Sequence, residues 1–529
     1  MSYPGKRQTY IRFSLTMQES GGVLTPAPLR ANRADAVIDT DHTGRAHIPG
    51  TSLAGALKAA VAAGPPEAAA LVSLFGDVDR DSAVASSIWV LGAYLNCDET
   101  RAPTAAGRES AEWVKAVDEG FARERGSSGG TEEWTERRQW MSTAINRATG
   151  AARNGTLRQT EFLPAGTTFT AYLRWDGAQE SEIRALADLL LTWEPALGRA
   201  TSTGHGKCSV GSLFVGTLDL TKAEHRATWF TKSGPALFDA AVGTEEWRGS
   251  KDTSGAESAR QILSVQLRTE GPLVIGARGA AERHTGPMRT RRMHAPDGTL
   301  ALAIPGTAIK GVVRSRMEYI LRSLGLPACI ERSHGTCLPC QFFGYTDHGA
   351  QTTSVGRRAA VRVENSFVSP QPGWTADTMV RVRTHVPLDR FTGGSGRKSP
   401  TDAKIHPPSE RGGMLHQIEG IEGGEFDLTF DVSKLDREAL ADFAALLRLV
   451  VEDLHDGLTG FGHAVNRGYG SVRVRSSEKA KGSELKIKDL PTGRAARDRM
   501  ARMLERHQRH LEERAALPED EREQECKND

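Results

Sequence analysis

Three cysteines crowd one stretch of this chain: Cys329, Cys337 after seven intervening residues, and Cys340 after two more. Three thiolates at that spacing form a metal site that needs one more ligand, and His334 inside the loop or His294 upstream can supply it. Tetrahedral Zn²⁺ with Cys₃His ligation is the expected occupant, fixing a loop without a core of its own. Two further patterns suit an anion. Ile48 to Lys58 reads IPGTSLAGALK and Ile304 to Arg314 reads IPGTAIKGVVR. Each is a Gly/Pro turn opening a helix, with Thr51 or Thr307 available as N-cap. Backbone N–H groups at the positive helix end, with Lys58, Lys310 or Arg314 further along, can hold a phosphate; the alternative is an ordinary strand-to-helix corner. Gly198 to Gly206 (GRATSTGHG) and Gly462 to Gly470 (GHAVNRGYG) are glycine loops flanked by Arg199, Lys207 and Arg467. Such loops let a polyanion approach the backbone closely, or simply make a tight turn.

Every one of these patterns except the cysteines occurs twice, in the same order. Between corner and glycine loop come Leu74-Phe75-Gly76 and Phe342-Phe343-Gly344, then Ile145 to Gly150 (INRATG) and Leu388 to Gly393 (LDRFTG), then Glu161 to Phe169 and Glu419 to Phe426. The pairs lie 243 to 268 residues apart. An ordered set of that kind is a tandem duplication. Each copy reads as α+β. An alternating strand opens it (9–17; 262–268), and an apolar-periodic helix (181–193; 435–454) precedes the glycine loop and a last strand (208–215; 471–474). A ferredoxin-like βαββαβ core is the expected fold. The expected domains are 1–221 and 260–478, joined by a polar 222–259 linker with Trp229, Phe230 and Trp247 as aromatic anchors, and followed by a charged 479–529 tail. Residues 97–130 read as a long insertion. Arg494 to Ala515 can form a helix with Met500, Leu504 and Leu511 on one face, either docked or solvated.

Across 529 residues, 68 Lys and Arg stand against 66 Asp and Glu, a net charge of +2. That excludes a uniformly basic coat, so any positive charge that grips a polyanion must be local. No signal-peptide core or membrane-length apolar run occurs, and the remaining cysteines are scattered rather than framed as disulfides. A cytoplasmic protein with no membrane partner is expected.

Taken together, the corner, the FG, the INRATG or LDRFTG segment and the terminal glycine loop resemble the RAMP superfamily of CRISPR-associated proteins. They are most similar to the backbone subunits that coat guide RNA in type III effector complexes. Two copies in one chain look like a fused double backbone subunit. The resemblance spans both copies and omits the linker, the insertion and the tail. It implies two RRM-like domains, each with a β-hairpin thumb, and partners that include guide RNA (crRNA), complementary target RNA, a polymerase-like large subunit, a small subunit and other RAMP subunits. It also implies that guide RNA meets Thr51, Ser52, Lys58, Arg147, Thr149, Arg199, Gly204, His205 and Lys207 in the first copy. The second copy would contribute Lys310, Arg314, Arg390, Thr392, Arg467 and Tyr469. Arg147 and Arg390 would stand at the thumb base, unless each forms an ion pair within its own copy. His205 reads as an RNA contact or a loop filler, and Tyr469 as a stacking residue.

Relatives of this kind also carry a zinc knuckle just before the FG. The first copy has Ala69 and Val72 at the equivalent positions and should bind no zinc. In relatives that slice target RNA, an Asp lies between the first strand and the corner. Asp35 (RADAVI) matches that context, with Asp39 and Asp41 nearby; Thr285 takes the place in the second copy, with Glu282 an outside candidate. The resemblance therefore implies a metal-dependent endoribonuclease, with Mg²⁺ or another divalent ion assisting attack of a ribose 2′-OH. The alternatives are a purely structural subunit and a metal-independent guide-processing ribonuclease.

Overall fold

The computed structural model describes residues 7–26, 35–42, 45–78, 83–95, 139–147, 149–248, 260–277, 288–297, 299–330, 335–346, 356–386, 416–475 and 487–516. In the first half, β1 (Arg7–Met17), β2 (Leu24–Pro26), β3 (Ala36–Ile38) and β4 (His47–Pro49) lead into helix α1 (Gly50–Ala63). There follow β5 (Ile88–Leu95), β6 (Gln139–Ser142), β7 (Arg158–Glu161), β8 (Thr168–Asp176), helix α2 (Glu180–Thr192), β9 (Cys208–Asp219) and short helices α3 (Ala223–Thr231) and α4 (Pro235–Ala241). The second half runs β10 (Ile262–Thr269), β11 (Arg292–His294), β12 (Leu300–Ile304), α5 (Gly306–Ser323), α6 (Leu338–Phe343), β13 (Arg362–Val363), β14 (Val380–His385) and β15 (His416–Ile421). It ends with β16 (Gly424–Asp431), α7 (Arg437–His455), β17 (Val472–Val474) and α8 (Gly493–Ala516).

The halves share one topology. The first sheet is ordered β9-β1-β8-β5-β4 and the second β13-β16-β10-β17, both antiparallel. Leu53, Leu57 and Val61 recur every fourth residue along α1, as Ile309, Val313, Met317 and Leu321 do along α5, so each helix lays one apolar stripe on its sheet. Leu186 and Leu190 of α2 complete the first core around Phe13 and Leu173. In the second, Phe443 of α7 meets the rings of Phe342, Phe430 and Phe343 at 5.3, 5.6 and 6.0 Å. The INRATG segment lies between β6 and β7, paired from Gln139↔Glu161 to Ser142↔Arg158. The LDRFTG segment, outside the described residues, is bracketed by β14 and β15, paired from Val380↔Ile421 to His385↔His416.

Two local expectations change, and one open alternative is decided. Thr51 and Thr307 do not cap their helices: Pro49 and Pro305 hold the N-cap positions, so both threonines fall within the first turn. Proline at φ −56° and −60° with extended ψ ends the strand, and the carbonyl of Pro305 accepts from Ala308 N and Ile309 N. The segment after β9 is packed rather than free: α4 inserts Phe238 edge-on against Tyr10 at 5.0 Å and Tyr172 at 5.3 Å. Trp247 anchors by donating Nε1–H to Asp188, whereas Trp229 and Phe230 are exposed. Finally, α8 docks. It buries Ala496 and Met500 against α7 while Arg497 and Arg499 pair with Glu452 and Asp442; Leu511 stays exposed. Among the described residues, no helix is long and apolar enough to cross a membrane.

Candidate functional site

The basic residue that ends each corner motif has the same partner in both halves. Lys58 Nζ donates to the carbonyl of Gly76 at 2.8 Å, and Arg314 Nη1 donates to the carbonyl of Gly344 at 2.8 Å. Both glycines are those of the FG, with φ of +71° and +73°. These two cations therefore lock the FG turn to the helix. Thr51 is exposed and Ser52 half-buried at the start of α1.

The two glycine loops, by contrast, differ in what covers them. Each begins at an alanine in the left-handed region, Ala200 (φ 61°) and Ala464 (φ 60°), and makes one 3₁₀ turn. Such residues are uncommon and concentrate at functional sites. The first loop is packed against the second half. Asn365 Oδ1 accepts the Gly306 N–H at 2.9 Å, and its Nδ2 donates to Glu19 Oε2 and to the Gly204 carbonyl. The corner N–H expected to meet a phosphate is thus taken by an amide. Ser202 accepts from Lys310 Nζ at 3.3 Å, and Thr201 from Arg358 at 3.1 Å. Burial, reinforced by Arg314, pushes Lys310 down to about 8. In the second loop, Val465 to Gly468 are exposed, Arg467 among them.

Beneath the first loop lies an aromatic and charged seam. His205 stacks on Phe162 (centroids 4.4 Å, planes 8° apart) and meets Trp140 edge-on at 5.2 Å, while Arg291 lies over Trp140 at 4.2 Å. His205 Nδ1–H donates to the Ser20 carbonyl at 3.0 Å, and burial pushes its pKa down to about 4. Burial also raises Glu19 to about 7, against the pull of Asn365 and Arg362. Arg147 reaches out of its own half: its Nη1 donates to Glu318 Oε1 on α5 at 2.8 Å. Lys207 sits 3.7 Å from Glu194 and 4.0 Å from Glu364. Tyr469 is buried beside Val274 and Ile418 with its hydroxyl bonded to His385, so it presents no open face for stacking. Arg199 and Thr149 are exposed. Arg390, Thr392 and Glu282 lie outside the described residues.

The three cysteines do converge. Cys329 Sγ is 3.6 Å from Cys337 Sγ and 3.4 Å from Cys340 Sγ, and all three are buried with their ligand atoms within 4.8 Å of one another. Three clustered sulfurs, with Tyr345 packed beside them and Arg314 donating to Cys340, suit a soft divalent metal. Hydrogen bonding from Cys337 favours the thiolate of Cys340, with Cys329 and Arg314 assisting; Cys337 is correspondingly held protonated. His294 is not a member of this cluster but lies on β11. His334 falls outside the described residues.

Asp35 stands at the exposed entry to β3. Its N–H donates to the Gln159 carbonyl and its Oδ2 accepts the Gln159 N–H, both at 2.8 Å. Asp39 approaches His47 at 3.6 Å, and Asp41 accepts from Arg45 N in a turn.

A family model described as the RAMP superfamily matches residues 21–209 and 266–473. This chain belongs to the RAMP superfamily. No curated protein matches it. Among solved structures it is similar to chains of a type III-B Cmr-beta complex in the apo state (16% identity) and bound to cognate target RNA (15% identity). Each of these likenesses covers 38% of this chain and 96% of that chain, with a TM-score of 0.29.

In this RAMP chain the residues that join the halves escape motif reading: Glu19, Arg291, Glu318, Arg362 and Asn365. Only one signal pointed to any of them. Glu318 lies four residues after Arg314, the spacing of a helical ion pair, and the pair forms at 2.9 Å.

Proposed function

We propose that this RAMP protein coats guide RNA as a fused double backbone subunit of a type III CRISPR interference complex. The observation that carries the reading is the duplicated glycine loop. Both copies store a left-handed alanine, and the second leaves Arg467 and its neighbours open to a polyanion. In each sheet the fourth, first, third and second strands of a strand–helix–strand–strand–helix–strand run lie side by side, which supports two ferredoxin-like (RRM-like) folds. The ribbons around INRATG and LDRFTG support thumbs, and the thiol cluster supports a zinc knuckle.

On this reading the domains are 1–221 and 260–478, and the protein works in the cytoplasm with target RNA and the other effector subunits. Arg199 and Arg467 face guide phosphates. Lys58, Arg314 and Asn365 shape the surface that receives them. Asp35 supplies the carboxylate that, with Mg²⁺ bound, positions or deprotonates the 2′-OH of the target.

The test uses the full chain assembled on guide RNA. Arg467→Ala should weaken guide binding and shallow its salt dependence by about one released ion; an unchanged slope refutes the phosphate contact. Asp35→Asn should slow target cleavage by about 10²-fold or more, with 2′,3′-cyclic phosphate ends on the wild-type products. Wild-type cleavage by Asp35→Asn would favour a structural subunit without an active site. That second reading has one observation behind it: the Asp35 carboxylate already holds the Gln159 N–H.

A further inference from the structure

We infer that Arg314 and Glu318 form a relay that transmits the state of the second half's cysteine cluster to the Ile145–Gly150 turn of the first half. All three nitrogens of the Arg314 guanidinium are engaged. Nη2 donates to Cys340 Sγ at 3.3 Å, Nη1 to the Gly344 carbonyl at 2.8 Å, and Nε to Glu318 Oε1 at 2.9 Å. That same Glu318 oxygen accepts Nη1 of Arg147 at 2.8 Å. The line from sulfur to first-half turn is thus continuous through a single planar group and a single carboxylate.

Its energetics favour transmission over local absorption. The Glu318 side chain is 0% exposed, and its second oxygen is buried without a partner, so the carboxylate depends on its two guanidinium neighbours. A divalent metal held by the three sulfurs would fix the position of Cys340 Sγ. A fixed sulfur holds the N–H···S bond of Arg314 in one geometry and with it the guanidinium plane. Removing the metal releases the Cys340 end of the line, so that Arg314 and Glu318 can shift together on their remaining bonds and Arg147 loses a fixed anchor. The turn it anchors is held by three backbone bonds of 2.8 Å each: Asn146 N to Ala151 O, Gly150 N to Asn146 O, and Arg153 N to Ala144 O. Those amides are the readout. This relay lies outside the glycine loops and is tested without RNA, so it stands or falls independently of guide binding; it rests only on metal occupancy of the cysteines.

The experiment is amide hydrogen exchange on the full chain without RNA, loaded with Zn²⁺ or stripped by chelator, with metal content measured alongside. Stripping should accelerate exchange across 143–156 by about fivefold or more, the range of ordinary site–site coupling, together with 329–344. Glu318→Gln, which leaves all three cysteines intact, should keep its Zn²⁺ yet exchange quickly at 143–156 in both states. Arg147→Gln, which leaves the cysteines and the Arg314–Glu318 pair in place, should do the same. Exchange at 143–156 that ignores the metal while 329–344 responds overturns the relay alone. Protein that retains no Zn²⁺ overturns the relay and the metal reading together. If stripping melts the whole second half, the loaded Glu318→Gln protein decides: wild-type protection at 143–156 overturns the relay.

Discussion

The seam between the halves contains two buried ionisable groups whose effects on stability run in opposite directions with pH. Glu19 is faced by Asn365, Arg362, Glu364 and Lys207, and burial raises it from 4.5 to about 7. Its contribution is complete below pH 4.5 and is lost as pH rises through about 7. His205, faced by Ser20, Arg362 and Arg291, is lowered by burial from 6.5 to about 4. Its contribution is complete above pH 6.5 and is lost as pH falls through about 4. At about 1.4 kcal/mol for each tenfold change, each group is worth about 3 kcal/mol across its window. The windows overlap, so in the wild-type chain the two slopes largely cancel between about pH 4.5 and 6.5. Glu19→Gln removes one slope: its unfolding free energy relative to wild type should climb by about 3 kcal/mol from pH 4.5 to pH 8. His205→Asn, whose amide can still donate to Ser20, removes the other, and its difference from wild type should climb as pH falls below 6.5. Denaturant unfolding followed by tryptophan fluorescence measures both, using variant-minus-wild-type differences so that other titrations drop out. Two flat difference curves would refute the claim that these groups are buried in the seam as ionisable, poorly solvated side chains.

Further outcomes follow from the same geometry. Cys337→Ser should lower bound zinc from about one ion per chain to none, read by metal analysis, and should loosen 329–344. Lys58→Ala should lower the melting temperature, because the Gly76 carbonyl loses a charged donor worth about 1–3 kcal/mol, while leaving the salt slope of guide binding unchanged. An altered slope would show that Lys58 reaches phosphate after all. Gly306→Ala should destabilise, since its Cβ would lie 2.6 Å from the carbonyl oxygens of Thr203 and Val363. On the same helix Gly311→Ala, with open space around it, should stabilise by about 0.5–1 kcal/mol; thermal unfolding distinguishes the two signs.

Much of this protein is written in local pattern. The ordered pairs of motifs establish the duplication. Apolar residues at every fourth position of α1 and α5 establish which helix faces are buried, and the spacing of Cys329, Cys337 and Cys340 brings three sulfurs together. These are short-range properties: periodicity, turn chemistry and loop closure over a dozen residues act the same way wherever the segment lies. Residues that meet across the fold are a different matter. Lys58 and Arg314 occupy one motif position and were both candidates for phosphate, yet each caps an FG carbonyl 18 and 30 residues away in sequence. Arg147 pairs with Glu318 over 171 residues, and Asn365 reaches Glu19 over 346. Nothing local distinguishes the first glycine loop, covered by the corner of the second half, from the second loop, left open. That difference arises from how the two halves dock, which seats the first loop on the corner of the second half through Asn365. Near-identical motifs acquire different partners because rigid-body packing of the two halves decides which donors and acceptors come within hydrogen-bond reach.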